Sequence, residues 1–321
     1  MALCVFLVAI LCVSCHWFDE EKSLTIIPTI EKPMLSIFNG MEYSYNNDGT
    51  LNRVSISPIL LEDGEHYNID IMYNPLRVYE EYSYEDDSYE EHEVSNISNV
   101  KQTIEGYISS LTIDYVYDDG EVREKEEIDV EFKYNGDCLT NISLISEAES
   151  RDESANIDYY WKTEYDIDIY WKSGNITDVT VASSWVEDNG YLHDKDNDYM
   201  AFKLLYGNMK NVYYEYTPAL MDLFVIGSYT PLTVLAQMNF MGLGTDYLPT
   251  TIKYSDYTIL TYSYMLNSDG SISMVDALYN GEPYSSYWYV YANDRSRTEY
   301  VTKHQRKSKH GPLSKRFSLR K

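Results

Sequence analysis

Residues 262–275 read Tyr-Ser-Tyr-Met-Leu-Asn-Ser-Asp-Gly-Ser-Ile-Ser-Met-Val, and this stretch decides the predicted fold. Its alternating aromatic residues predict a β-strand with one buried face. Asp269-Gly270 supplies the positive φ angles that a tight hairpin turn requires, so a second strand should follow. Ile272 and Val275 stand two and five places after the glycine. Because they are three apart, they do not by themselves show which face points inward.

The same pattern recurs along the chain, and each copy predicts a β-hairpin of about 15 residues. One hairpin is marginal in water, so several must stack or share a sheet. Their spacing is irregular, which favours an elongated meander over a solenoid. We therefore predict an all-β, mainly antiparallel fold, an elongated meander of repeated hairpins. The copies are Tyr43 to Gly49 with Leu51 and Val54, Tyr170 to Gly174 with Ile176 and Val179, Tyr206-Gly207 with Met209 and Val212, and looser versions at 115–120 and 132–136.

Other segments depart from the hairpin pattern. Thr217-Pro218 predicts the start of a helix, because proline suits the first helical position. It predicts a short helical insertion near 218–238, with one helix ending at Gly227 and another turn from Pro231. The acid-rich stretches 80–93 and 146–156 are expected to be exposed loops, and the second is a possible boundary within the domain.

The N-terminus predicts export. Residues 2–14 are apolar and uncharged, too short for a membrane-spanning helix of ~20 residues, and typical of a signal peptide. Ser14-Cys15 ends this run and resembles a bacterial lipobox, although Cys12 replaces the usual leucine and no basic residue precedes the run. The prediction is a signal peptide over 1–14, a lipidated Cys15, a membrane tether over 15–40 and a β domain over 41–302. An ordinary secretory signal or a short anchor is the alternative.

Charge is distributed unevenly. The chain has 52 acidic and 25 basic residues and a net charge of −27. Such a surface repels nucleic acid, so no nucleic-acid partner is expected. Residues 303–321 contain eight of the bases and no acid, and are expected to form a disordered basic tail. This tail could bind acidic surfaces, including lipid headgroups or the protein's own domain, or lie beyond the true domain.

Two motifs resemble known families. The Tyr-x-Tyr-x-x-Asp-Gly-x-Leu pattern of residues 43–51 resembles the YD-type hairpins of RHS-like proteins. Leu248-Pro249-Thr250, followed by the 262–270 hairpin, resembles a group of Bacteroides-type lipoproteins that carry a domain of unknown function. The resemblance covers residues 41 to about 300 and carries no catalytic residue across. It implies an outer-membrane lipoprotein that faces the periplasm or the cell surface.

Tryptophans are the candidate ligand-binding residues. Trp161, Trp171, Trp185 and Trp288 could provide stacking platforms for sugars. Trp161 and Trp171 are the preferred pair because each stands in a Tyr-Trp-Lys sequence. Packing within the sheet is the alternative interpretation, since aromatic side chains on strands usually pack.

Two acidic stretches are candidate metal sites. Asp194, Asp196 and Asp198 alternate as calcium ligands can. An EF-hand loop would have glycine where Tyr199 stands, so a solvated turn is the alternative. Residues 90–93 read Glu-Glu-His-Glu, but only alternate strand residues share a face, and an acidic loop is the simpler interpretation. Cys138 is expected to be a small packed residue, and no other cofactor is indicated.

No hydrolase or nucleotide-binding motif is present, so we do not expect an enzyme. The sequence favours a membrane-anchored binding module for a glycan, a protein or another extracellular ligand. The alternatives are a structural or adhesion protein with no small ligand and, less favoured, a hydrolase whose carboxylate pair cannot be picked out among so many acids.

Overall fold

The computed structural model describes residues 33–56, 65–85, 90–152, 157–188, 193–223 and 230–291. Two short helices, α1 (Pro218–Leu223) and α2 (Thr230–Gln237), interrupt a succession of antiparallel strands. The strands are β1 Leu35–Phe38, β2 Met41–Tyr45, β3 Leu51–Ile56, β4 Glu65–Met72, β5 Arg77–Glu85, β6 Glu90–Gln102, β7 Ile108–Asp118, β8 Val122–Asn135, β9 Cys138–Asp152, β10 Ile157–Lys172, β11 Asn175–Asp188, β12 His193–Lys210, β13 Tyr247–Tyr254, β14 Ile259–Leu266, β15 Ile272–Tyr279 and β16 Glu282–Tyr291.

The sheet closes into a barrel. Each strand pairs with the next one along the chain, and β1 pairs with β16, with Leu35 opposite Tyr291 and Phe38 opposite Tyr289. The prediction of an all-β antiparallel fold is confirmed, whereas the expected elongated, open meander is wrong. Closure depends on two strands at opposite ends of the chain, which no local pattern reveals. Because β1 begins at Leu35, the last part of the segment expected to be a tether belongs to the barrel.

Glycine turns confirm most of the predicted hairpins. Turns at Gly49, Gly136, Gly174 and Gly270 follow even-numbered strands and lie at one end of the barrel, here termed the lower rim. The opposite end is the upper rim. The hairpin expected at Tyr206-Gly207 is wrong, because β12 runs through it to Lys210. The segments 80–93 and 146–156, expected to be loops, are strand in all their described residues.

A β-bulge beside the lower-rim turns explains the apolar spacing. Leu266 pairs with Ile272, but Met265 pairs with Met274, so the ladder skips one residue. The skipped residue shifts the in–out alternation by one position. Ile272 and Val275 can therefore both point into the core, where they are 2% and 0% exposed. The same register shift follows the turns at Gly49, Gly136 and Gly174.

Aromatic side chains near the lower rim fasten even-numbered strands to the preceding strand. Each donates its polar hydrogen to a main-chain carbonyl, and the donor–acceptor distances are 2.7–2.8 Å. We term these contacts rim clasps. They explain why tyrosine stands where phenylalanine would pack equally well. The clasps run from Tyr45 to Leu35, Tyr134 to Ile108, Trp171 to Leu139, Tyr206 to Ile176 and Tyr264 to Pro249.

The predicted helical insertion is confirmed, and it fills the barrel. Leu220 of α1 and Leu235 of α2 are fully buried and share one core with the inward-facing strand residues. The hydroxyl of Tyr43 donates to Oε1 of Gln237 at the end of α2. A 16-strand barrel is wide enough for an aqueous channel, but here apolar side chains occupy the lumen beside the helices. Neither described helix is long and apolar enough to cross a membrane.

We expect Tyr264→Phe to reduce the free energy of unfolding by ~1–3 kcal/mol, because the Pro249 carbonyl loses its buried donor. Urea denaturation measures the change. Tyr170→Phe is the matched control, since that side chain is 51% exposed. Equal losses in the two variants would contradict the structural role of the clasp.

Alkali should also unfold the barrel. Burial raises the pKa of the Tyr45 phenol to about 12, and burial raises the pKa of Tyr206 further. The folded protein thus favours the neutral form of these phenols. Their contribution to stability is complete below the ordinary tyrosine pKa of 10, and it is lost as the pH rises through the pKa of the folded state. We expect circular dichroism to show unfolding from pH 10 to about 12. A fold unchanged at pH 12.5 would contradict this.

Candidate functional site

One side of the barrel rises above the level at which the ring closes. β12 pairs with β11 from His193 downward, whereas its pairing with β13 begins only at Phe202. On the other flank, β4 and β5 pair up to Glu65 and Tyr84. The upper parts of β4–β12 therefore form a single-layer wall. Its inward-pointing side is here termed the upper face.

Strand register shows which residues belong to the upper face. Ile128 is fully buried in the core and pairs with Ile113. Two residues higher on β8, Glu126 points to the same side as Ile128 and pairs with Tyr115. Two residues higher again, Glu124 also points inward and pairs with Tyr117. The inward positions therefore change from apolar to acidic and aromatic as β8 rises above the core.

The upper face is rich in carboxylates and aromatic rings. Within the described strands it includes no lysine or arginine. Its acidic residues are Glu65, Glu80, Glu91, Glu93, Glu124, Glu126, Glu187, Asp194, Asp196 and Asp198. Its aromatic residues are Tyr67, Tyr82, Tyr84, Tyr115, Tyr117, Tyr159, Trp161, Tyr165 and Trp185. The basic residues at this height point outward: Arg123, Lys125, Arg151, Lys162 and Lys195.

Ion pairs between described residues lie on the outward side of the barrel. Lys162 Nζ lies 3.1 Å from Glu147 Oε1, and Arg151 Nη1 lies 3.1 Å from Asp158 Oδ1. Arg53 and Asp70 form a further outward pair at 2.6 Å. These pairs are exposed, so each contributes little to stability. Their arrangement nevertheless shows that the charges are sorted by face.

Tyr82 illustrates the electrostatics of the upper face. It is half-buried, and its hydroxyl donates to Oε1 of Glu65 at 3.3 Å. Burial raises the pKa of Tyr82, and the negative charges of Glu65 and Glu91 raise it further. Burial likewise raises the pKa of Tyr165, assisted by Glu126. The local potential is therefore negative, and it favours cations and hydrogen-bond donors.

The structure separates the preferred tryptophan pair and brings another together. Trp161 lies on the upper face opposite Glu187, whereas Trp171 is a rim clasp at the other end of the same strand. Trp185 also lies on the upper face, opposite Thr163. Trp161 and Trp185 are therefore diagonal neighbours, a relation in which Cα atoms are ~7–8 Å apart. Trp288 faces outward and packs against Ile37 and Val290.

The candidate calcium ligands share a strand face but do not converge. Asp194, Asp196 and Asp198 lie at alternate positions of β12, about 7 Å apart, instead of in the expected turn. Each carboxylate accepts the N–H of the following residue. No group of three or more His, Cys, Asp or Glu residues in the described part of the chain could hold a metal. Calcium binding there stays a prediction without geometric support.

The other candidate residues fall in less distinctive places. Glu91 and Glu93 point inward and His92 points outward towards Glu81, so residues 90–93 do not converge on a metal. Cys138 is a half-buried free thiol, and burial raises its pKa, with a contribution from Asp137. Cys15 lies outside the described residues.

Acidic residues at the turns are structural. The Thr50 hydroxyl and N–H both donate to Asp48 and lower the pKa of its carboxyl group. The Ser271 hydroxyl and N–H act in the same way on Asp269. A depression at the lower rim is lined by residues at these turns, including Asp48, Thr50 and Tyr73.

Comparisons with known proteins give little guidance. No family model matches the chain, and no curated protein matches it. Among solved structures, it is similar to a porin-like protein from Bacteroides uniformis with 14% sequence identity, covering 67% of this chain and 95% of that one, at a TM-score of 0.24. A likeness at this level carries no argument. The resemblance to YD-type hairpins and Bacteroides-type lipoproteins therefore stays a prediction.

Proposed function

We propose that this protein is an exported, lipid-anchored binding module of the outer membrane that holds an extracellular ligand, with a glycan as the preferred class, on the upper face. The observation that carries this proposal is the diagonal pair of half-buried tryptophans, Trp161 and Trp185, with carboxylates beside them. Indole rings offer flat apolar surfaces to the faces of sugar rings. Carboxylates such as Glu187 and Asp196 are strong acceptors for sugar hydroxyls.

The outward face supports an anchored barrel over a membrane-spanning one. Outward positions of β8 are exposed and charged along most of its length: Arg123, Lys125, Glu127, Asp129, Glu131 and Lys133. A spanning barrel presents an apolar band ~25 Å tall to lipid, and one basic residue at mid-bilayer costs ~2–4 kcal/mol. β1 begins and β16 ends at the lower rim, so the segment that follows a lipid on Cys15 would join the barrel at this rim.

Cys15→Ser should release the protein from the membrane fraction and abolish incorporation of radiolabelled palmitate. Two acyl chains hold a protein stably, since each buried methylene contributes ~0.8 kcal/mol. Cys138→Ser is the matched control and should still be labelled. Retention of Cys15→Ser in membranes after a carbonate wash would contradict an anchor-only attachment and indicate that the barrel itself inserts.

A glycan panel followed by calorimetry tests the ligand. We expect Trp161→Ala and Trp185→Ala each to weaken binding roughly tenfold, equivalent to ~1.4 kcal/mol. Tyr170→Ala removes an exposed aromatic ring from the outward side of the same strand and should leave affinity unchanged. If both tryptophan variants bind like the wild type, the ligand lies elsewhere.

A structural or adhesion role is the second candidate. The breadth of the upper face, which extends over β4–β12 as one sheet, favours a large partner over a small ligand. A folded protein that binds no glycan but is captured by a protein partner through Trp185 would support this role. A hydrolase has less support, since the described carboxylates with a lowered pKa, such as Asp48 and Asp269, serve turns.

A further inference from the structure

The wall and the end of the sequence are opposite in charge. The upper face combines carboxylates with aromatic rings, and the described strands place no lysine or arginine on it. Residues 303–321 carry eight lysines and arginines and no acid. We propose that the upper face is the docking surface for residues 303–321 of the same chain.

The fold permits this contact. β16 ends at Tyr291 on the lower rim, on the side of the barrel where strands are short. The 12 steps from Tyr291 to Lys303 span up to ~40 Å when extended. The ten-residue strand β16 rises only ~33 Å. The segment after Lys303 can therefore pass over the low side of the barrel and lie against the wall opposite.

The upper face suits such a segment better than the outward surface does. Outward acids such as Glu147, Glu164 and Asp158 have a lysine or arginine side chain beside them, whereas the described strands place no such residue on the upper face. The upper face adds aromatic rings, including Tyr82 and Trp185, that attract guanidinium and ammonium groups through cation–π contacts. Attachment to the same chain raises the effective concentration of the segment to the millimolar range. Neither the lipid anchor nor a glycan is needed for this docking.

Zero-length carbodiimide cross-linking of the full-length protein tests the contact directly. The reagent joins a lysine amine to a carboxylate that touches it, and mass spectrometry identifies the pairs in the monomer band. We expect lysines of 303–321 to couple to Glu124, Glu126 and Glu187. Coupling mainly to the outward residues Glu127, Glu131 and Glu149, or no coupling of this segment, would overturn the proposal.

Matched charge variants test the same contact by trypsin cleavage within 303–321. In the wild type we expect cleavage at least tenfold slower at 20 mM than at 500 mM salt, because salt screens exposed charges. Replacing Glu124, Glu126 and Glu187 with glutamine should remove this protection. The same replacement of Glu127, Glu131 and Glu149 changes the net charge equally and should preserve it. If the two triple variants lose protection equally, or if protection requires anionic lipid vesicles, residues 303–321 do not dock on the upper face and the proposal is overturned.

Discussion

The pairing of β1 with β16 is the constraint on which the rest of the structure depends. β1 has four residues, yet its contacts convert fifteen sequential strand pairings into a closed ring with no free edge at the lower level. Closure creates a lumen, and a lumen of this width must be filled if its walls are apolar. The two helices between β12 and β13 supply that filling. Without the ring, the apolar faces of both helices and strands would meet water.

The sequence predicted local structure well and closure poorly, for a physical reason. Asp-Gly and Asn-Gly turns act over a few residues, so the hairpin at 262–275 could be located from the local order of residues alone. The ring depends on the register between Leu35 and Tyr291, which has no local signal. The same limit applies to the candidate site. Trp161 and Trp171 share a sequence setting but lie at opposite ends of β10. The actual neighbour of Trp161 is Trp185, which is identified only by the pairing of β10 with β11.

The recurring sequence pattern describes a structural unit more specific than a hairpin. Apolar residues three apart would ordinarily fall on opposite faces of a strand. The bulge after the turn brings both inward, as Leu51 and Val54 show with 1% and 0% exposure. The aromatic residue before the turn then fastens the unit to the preceding strand, as Tyr264 does through the Pro249 carbonyl. Bulges also bend strands, which assists closure of the sheet at the lower rim.

The wall shows why the candidate site was hidden in the sequence. On β8, acidic residues alternate with arginine and lysine over 123–126, so both faces are polar there and periodicity cannot assign an interior. The strand register decides which side of β8 faces inward. As a result, acidic residues point inward, whereas residues of both charges point outward. Like charges gathered on one face repel each other, whereas alternating charges on the other face attract. A cationic partner, or one with many hydroxyl donors, therefore gains more free energy at the upper face than at the outward surface.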